Sequence, residues 1–205
     1  DDVIDIFARL NSYTVALNAA EKRHAKFQTE LKFFVRRMSI KYRWFIEKYG
    51  TFTVKQRFRM QDDEFFAELI RLIVGGIQDG GSEKITKFYQ KTPDKDFDEQ
   101  KQKYVENVLD MILNFLDSKL GAFLKGPLGK HYQIYCLSAA LLHIQNKIPR
   151  VQGFPEVNNL APHDLVIARL VQLESDIDEE RNTEFVKASA ATTQRIATRL
   201  VRTRS

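Results

Sequence analysis

Apolar residues recur every three or four positions along most of this 205-residue chain, which is the spacing of one face of an α-helix. Between Asn18 and Tyr49 the spacing predicts one long helix, which Asn18 caps and Gly50 ends. Its apolar stripe consists of Phe27, Leu31, Phe34, Met38, Phe45 and Tyr49. Thr53 is predicted to cap the short helix that follows.

Three later segments complete the predicted architecture. The segment from Asp62 to Ile77 is apolar on nearly every side, which is typical of a helix at the centre of a domain. Asp98 to Leu120 is predicted to form a second long helix. Pro162 opens a helix to about Glu180, and the last helix is predicted from Asn182 to about Arg202.

The two closing helices carry opposite charge. From position 164 to 180 there are six acidic residues and one arginine, whereas from 181 to 205 there are six basic residues and one glutamate. This reversal favours pairing as an antiparallel hairpin. We therefore predict an all-α fold, an irregular multi-helix bundle with two long helices, a central buried helix and a C-terminal helical hairpin.

The Gly- and Pro-containing stretch from Lys125 to Lys130 is the clearest predicted loop. It suggests a helical subdomain over 1–124 and a C-terminal helical subdomain over 125–205 that packs on it. The alternative is one continuous domain.

Composition narrows the class of protein. No apolar run approaches the roughly 18 residues that a membrane span needs, so we expect no membrane partner. A single cysteine, Cys136, excludes an internal disulfide and favours a reducing cytoplasm. The net charge of +5 and the pI near 9.2 favour anionic partners.

Two groups of basic residues are candidates for contact with the DNA backbone. The first lies on the predicted long helix and includes Arg36, Arg37 and Lys41. The second is Arg195, Arg199 and Arg202, which share one flank of the last helix if that flank is exposed. The alternatives are solvated surface residues and salt bridges within the hairpin.

His131, Cys136 and His143 lie on one predicted helix, but two ligands on one helix need others to complete a metal site. No other residues are spaced to supply them. We therefore predict no metal site, a core histidine and an unreactive buried thiol.

The segment before the first long helix carries the most specific pattern. Residues 11–14, Asn-Ser-Tyr-Thr, favour a turn, and Asn18 with Glu21 has the spacing of a capping box. A polar connector of this kind suits either a contact with a small molecule or phosphate, or a well-capped corner.

The full pattern, Phe7-x-Arg9-Leu10-Asn11-x-x-Thr14-x-x-Leu17-Asn18-x-x-Glu21-x-Arg23-x-Ala25, resembles the second half of the GmrSD-type nucleotidase–nuclease family. Members of that family are bacterial proteins with a ParB/sulfiredoxin-like domain, and many act in anti-phage restriction. The resemblance implies that Arg9, Asn11, Asn18, Glu21 and Arg23 form the wall of a nucleotide pocket. The alternative is that these residues fix the turn.

Two family signatures are absent from this sequence. It contains neither the Asp-Gly-Gln-Gln-Arg signature of nucleotide hydrolysis nor the His-containing nuclease motif. We therefore expect the helical half of a longer protein, with no catalytic residue or cofactor of its own. The resemblance implies that the parent is an NTP-dependent endonuclease that uses a nucleoside triphosphate and a divalent cation.

The expected partners follow from the resemblance and the charge. They are the preceding nucleotidase domain, DNA, and a second copy of the chain. The alternative function, from a different class, is a helical module for protein interaction or oligomerisation.

Overall fold

The computed structural model describes residues 16–149 and 162–205, and every regular element in these two ranges is helical. The α-helices are α1 (Ala19–Lys26), α2 (Glu30–Lys41), α3 (Arg43–Tyr49), α4 (Val54–Phe58), α5 (Gln61–Gly75), α6 (Ser82–Lys91), α7 (Glu99–Leu120), α8 (His131–Ile144), α9 (His163–Asp178), α10 (Glu184–Ala190) and α11 (Ile196–Arg204). Short 3-10 turns cover Asp94–Asp96, Phe123–Lys125 and Pro127–Gly129. The prediction of an all-α multi-helix bundle is confirmed.

The prediction of one long helix from Asn18 to Tyr49 is wrong, because α1, α2 and α3 replace it. The first break follows Lys26, where Thr29 caps α2 by accepting from the Lys32 N–H. Asp94, far along the chain, also accepts from the Glu30 N–H at 2.9 Å. These caps satisfy N–H groups that a continuous helix would have bonded internally.

Several predicted helix ends are correct. Asn18 and Glu21 form a capping box on α1, and Thr53 forms one with Gln56 on α4. The second predicted long helix is α7, which is capped by Asp98. Each of these caps joins residues three positions apart, so the sequence contains the whole interaction.

Helix α5 is the central buried helix, as predicted. Its Phe66, Leu69 and Ile70 side chains are fully buried, and the helix packs against α1, α2, α4, α6, α7 and α8. Four charged residues of α5 are buried as well, namely Asp62, Asp63, Glu68 and Arg71, whereas Gln61 at its start is exposed.

The prediction of one closing helix from Asn182 to Arg202 is also wrong. The chain turns between α10 and α11, with Thr192 at a φ of 49°. The loop between α5 and α6 stabilises this turn: Asp79 accepts from the Ile196 N–H at 2.8 Å, and the Gly80 N–H donates to the Gln194 carbonyl at 2.7 Å. Contacts distant in sequence thus set the start of α11.

Two compact 3-10 turns form the predicted loop at Lys125, and both Leu124 and Leu128 are buried there. Core residues from both sides of the loop, including Leu120 and Ile134, belong to one apolar cluster. The division into 1–124 and 125–205 stays a prediction.

Gly50 ends α3 in the left-handed region, with a φ of 60°. A Cβ atom at this position would meet no atom within 4 Å, so any cost of substitution comes from the backbone alone. We expect Gly50→Ala to lower the free energy of unfolding by about 1–2 kcal/mol, and Gly50→Asn by less, because asparagine tolerates this conformation. Urea denaturation of both variants tests this, and equal stability of Gly50→Ala and the wild type would contradict it.

Candidate binding cavity

A cavity of about 280 Å³ lies between the start of α1, the central helix α5, the start of α8 and the turn before α11. Its wall combines aromatic rings with polar and charged groups. The lining residues are Asn18, Ala19, Phe52, Gln61, Glu64, Phe65, Glu68, Ser82, His131, Tyr132, Tyr135, Thr193, Gln194 and Arg199.

Glu68 organises the inner wall of the cavity. Its Oε2 atom lies 3.2 Å from Nη1 of Arg71 and 3.1 Å from Nη1 of Arg199, while Oε1 accepts from the Gly81 N–H at 3.1 Å. All three charged residues are at most 7% exposed. Burial is the main cause that lowers the pKa of Arg71, and the charge of Glu68 opposes this effect. This carboxylate thus accepts from three donors and holds both guanidinium groups.

Glu64 forms a second ion pair on the same wall. It accepts from the Ser82 hydroxyl, and its Oε2 atom lies 3.2 Å from Nη2 of Arg23. Arg23 also donates to the Ser82 carbonyl at 3.0 Å. This group connects α1 and α6 through α5.

Two arginines of α11 lie against tyrosine rings of α8. The Arg199 guanidinium is 4.0 Å from the centre of the Tyr135 ring, and that of Arg202 is 5.3 Å from the centre of the Tyr132 ring. Arg202 donates to the backbone carbonyls of Tyr132, Thr193 and Thr198. Burial raises the pKa of Tyr135 to about 12, so the phenol stays neutral and offers its π-face to the cation.

His131 stacks on Phe52 at the mouth of the cavity, with ring centres 5.3 Å apart. One edge of the His131 imidazole is exposed. Burial of the rest of the ring is the main cause that lowers its pKa. The positive charge of Arg202 lowers that pKa further. His131 is therefore neutral at pH 7.

This shift predicts a loss of stability in mild acid. The unfolded chain binds a proton at His131 near pH 6.5, and the folded chain binds it only at lower pH, so the free energy of unfolding falls as the pH drops below about 6.5. We expect His131→Gln to lose less stability than the wild type between about pH 7.5 and pH 5.5. His24, whose pKa is also lowered by burial, should account for part of the remaining slope. Urea midpoints at both pH values test this, and parallel losses would contradict it.

Three of the residues predicted to form a nucleotide-pocket wall, Asn18, Glu21 and Arg23, are among those that the structure describes, and of these three only Asn18 lines this cavity. Glu21 is part of the cap and pairs with Arg59, and Arg23 is buried against α5 and α6. Arg9 and Asn11 lie outside the described residues. The described members of the set are thus positioned by contacts within the chain, and their role toward a nucleotide stays a prediction.

The predicted DNA contacts are in different environments. Arg36 pairs with Asp63 at 3.0 Å, Arg37 donates to Gln102, and Lys41 pairs with Glu106 and Asp110. Arg195 is exposed.

Arg199 and Arg202 are each only 4% exposed, because tyrosine rings and carbonyl groups surround their guanidinium groups. The expectation of an exposed flank that carries Arg195, Arg199 and Arg202 together is therefore corrected. Contact with DNA by the exposed members stays a prediction.

The central ion pairs were not predicted from the sequence, although a signal was present. Glu68 and Arg71 are the only charged residues between Phe65 and Ile77. Charged side chains inside a helix that is apolar all round must be paired when they are buried. Their partner Arg199 is 131 positions from Glu68, and no local pattern connects the two.

The buried thiol of Cys136 lies 3.9 Å from the Arg199 carbonyl, and burial raises its pKa. Within residues 16–149 and 162–205, no three His, Cys, Asp or Glu side chains are grouped to hold a metal ion. No helix in the same ranges has both the length and the apolar character needed to cross a bilayer. Comparison with protein-family models, with curated proteins and with solved structures gives no match to this chain.

Proposed function

We propose that this chain is the helical portion of a GmrSD-like, nucleotide-dependent defence protein, in which it supports a nucleotide-hydrolysing domain and has no catalysis of its own. The observation that carries the proposal is the motif clamp, which we define as Asn18, Glu21, Arg23 and Arg59. These residues include three positions of the sequence pattern that resembles the family.

The motif clamp holds the chain where it enters the helical body. Asn18 Nδ2 donates to the Arg59 carbonyl at 2.7 Å, and Arg59 donates from Nη2 to the Ala16 carbonyl at 2.9 Å. Arg59 Nε also lies 3.2 Å from Glu21 Oε1. The segment at residues 16–21 is thus attached to the residue that follows α4 by both backbone and side-chain contacts.

Arg23 extends the clamp into the core. This side chain is 5% exposed and reaches Glu64 of α5 and the Ser82 carbonyl of α6. A buried ion pair with supporting hydrogen bonds fixes the relative positions of the helices that it joins. The clamp is therefore suited to hold a preceding domain at a defined orientation on the central helix.

The proposal is tested by NTP turnover in two proteins: the 205-residue chain alone, and the chain fused behind a family nucleotidase domain that carries Asp-Gly-Gln-Gln-Arg. We expect no turnover by the chain alone and turnover by the fusion. Arg59→Ala in the fusion should reduce turnover, whereas Arg43→Ala, which changes an exposed arginine outside the clamp, should not. Turnover by the chain alone, or equal turnover by the two variants, would overturn the proposal.

Contact with DNA is the second part of the proposal. Exposed Arg195 and Lys84 line one open groove of about 730 Å³ beside the start of α11. Fluorescence anisotropy with a short duplex should show affinity that falls linearly with salt on logarithmic axes, and Arg195→Ala should make that slope shallower. No binding at low salt would remove DNA from the proposal and leave the supporting role.

An exposed apolar surface favours the alternative, a helical interaction or oligomerisation module. Phe58 is 86% exposed and Val54 is 71% exposed, and both line a groove with Arg43 and Arg57. Apolar association depends little on salt, unlike binding to phosphates. Light scattering of the wild type and of Phe58→Ser across a salt series tests it: a salt-independent oligomer that Phe58→Ser dissociates would favour this alternative.

A further inference from the structure

Buried positive charge exceeds buried negative charge around the cavity. Arg199 lines the cavity, and Arg23, Arg71 and Arg202 lie behind its wall, against the lining residues Glu64, Glu68 and Tyr132; each of the four arginines is 4–6% exposed. The carboxylates that line it are Glu64 and Glu68. Four positive charges against two negative charges leave an excess of two. Asp79, on the loop that contacts α11, is exposed to solvent and so compensates only in part.

Arg202 contributes most clearly to this excess, because its hydrogen bonds go to neutral carbonyl groups. Burial lowers the pKa of Arg202, and the neighbouring charge of Arg199 lowers it further. Buried charges are normally paired, so an anion that entered the cavity would supply the missing counter-charge.

One donor is available to such an anion. Arg199 Nη1 donates to Glu68 at 3.1 Å and to the Gln78 carbonyl at 2.8 Å, whereas Nε has no hydrogen-bond partner within the described structure. The Nε atom is buried, and Arg199 is part of the cavity wall. A buried N–H group without a partner is rare and points to a ligand that accepts from it.

The aromatic residues of the cavity wall indicate which chemical group the ligand carries besides its anionic group. Phe52, Phe65, Tyr132 and Tyr135 present rings to the cavity, which favours a flat apolar group. The volume of about 280 Å³ lies at or just below the range of pockets for drug-sized ligands, so the ligand is small.

We propose that this cavity binds a small aromatic carboxylate, which accepts a hydrogen bond from Arg199 Nε and places its ring among the aromatic side chains. Charge and shape support the same class of ligand, because the carboxylate offsets the excess of guanidinium groups and the ring fits the aromatic wall. This site does not depend on the supporting role proposed above.

Benzoate is the probe that tests the proposal. Titration of the 205-residue chain should shift the NMR signal of the Arg199 Nε–H group in a saturable manner. Benzamide is a neutral molecule of the same shape. Because it lacks the charge, its affinity for the chain should be lower than that of benzoate by a factor of about ten or more. Acetate should also bind more weakly, because it lacks the ring. No saturable shift, or benzamide binding as tightly as benzoate, would overturn the proposal. Acetate binding as tightly would overturn its aromatic part.

A matched pair of variants tests whether benzoate binds in this cavity. Ala19 and Ala25 are both exposed alanines of α1, and only Ala19 lines the cavity. Ala19→Phe should obstruct the cavity and weaken benzoate binding about tenfold, without removing any charged group. Ala25→Phe should bind benzoate like the wild type. Equal binding by the two variants would overturn the assignment to this cavity.

Discussion

Replacing Glu68 by alanine is expected to lower the free energy of unfolding by about 3–5 kcal/mol, because it leaves two buried guanidinium groups without their carboxylate. Arg71 and Arg199 both pair with the same Glu68 oxygen, and the Gly81 N–H would lose its acceptor as well. Glu68→Gln should cost less, since an amide oxygen can still accept hydrogen bonds. Urea denaturation at neutral pH measures all three proteins.

Glu83→Ala is the matched control for this prediction. Glu83 lies on the surface of α6 and pairs with Lys87 at 2.7 Å, so its removal should leave the urea midpoint unchanged. The double variant Glu68→Ala with Arg199→Met should be less destabilised than the sum of the two single changes, because Glu68→Ala alone strands the buried charge of Arg199, which the double change removes. Additive losses would contradict the pairing of Glu68 with Arg199.

Local capping explains which parts of the fold could be predicted from the sequence. Asn18 with Glu21 and Thr53 with Gln56 each join residues three positions apart, and Gly50 needs only its own backbone freedom. These signals located three helix ends without any knowledge of the tertiary structure.

The two helices that were predicted too long are interrupted by contacts between residues far apart in the sequence. The break before α2 involves Asp94, which accepts from the Glu30 N–H across 64 positions, and the start of α11 involves Asp79, 117 positions from Ile196. Apolar periodicity continues through both breaks, so a pattern-based prediction joins the helices. Apolar periodicity cannot detect a helix cap whose side chain comes from a distant part of the chain.

The same limit applies to the candidate site. The spacing correctly placed Arg199 and Arg202 on one helix, but Arg195 is the N-cap residue before that helix, and the spacing does not tell which way the helix faces. The turn before α11 directs Arg199 and Arg202 onto the tyrosine rings of α8 and leaves Arg195 exposed. A buried arginine and an exposed arginine look alike in sequence, and only the buried Glu68 within α5 indicates that a partner cation exists.

Phe66→Ala is expected to destabilise the fold by about 3–5 kcal/mol, because it removes a large ring from the centre of the core. Phe66 on α5 is fully buried, stacks on Tyr42 of α2 with ring centres 5.7 Å apart, and lies 5.4 Å from the Phe65 ring. The cavity that alanine would leave cannot be filled by one neighbouring helix, since α5 is enclosed by six others. Urea denaturation measures the loss.

Phe58→Ala provides the control with the same chemical change. Phe58 is 86% exposed on α4, so its truncation removes little packing and should leave the free energy of unfolding unchanged within about 0.5 kcal/mol. If the two variants lost equal stability, α5 would not be the centre of the core. A large loss of stability in Phe66→Ala alone would confirm that α5 is enclosed. It would then also support the predicted effect of Glu68→Ala, because a carboxylate buried on the same helix needs cations as partners.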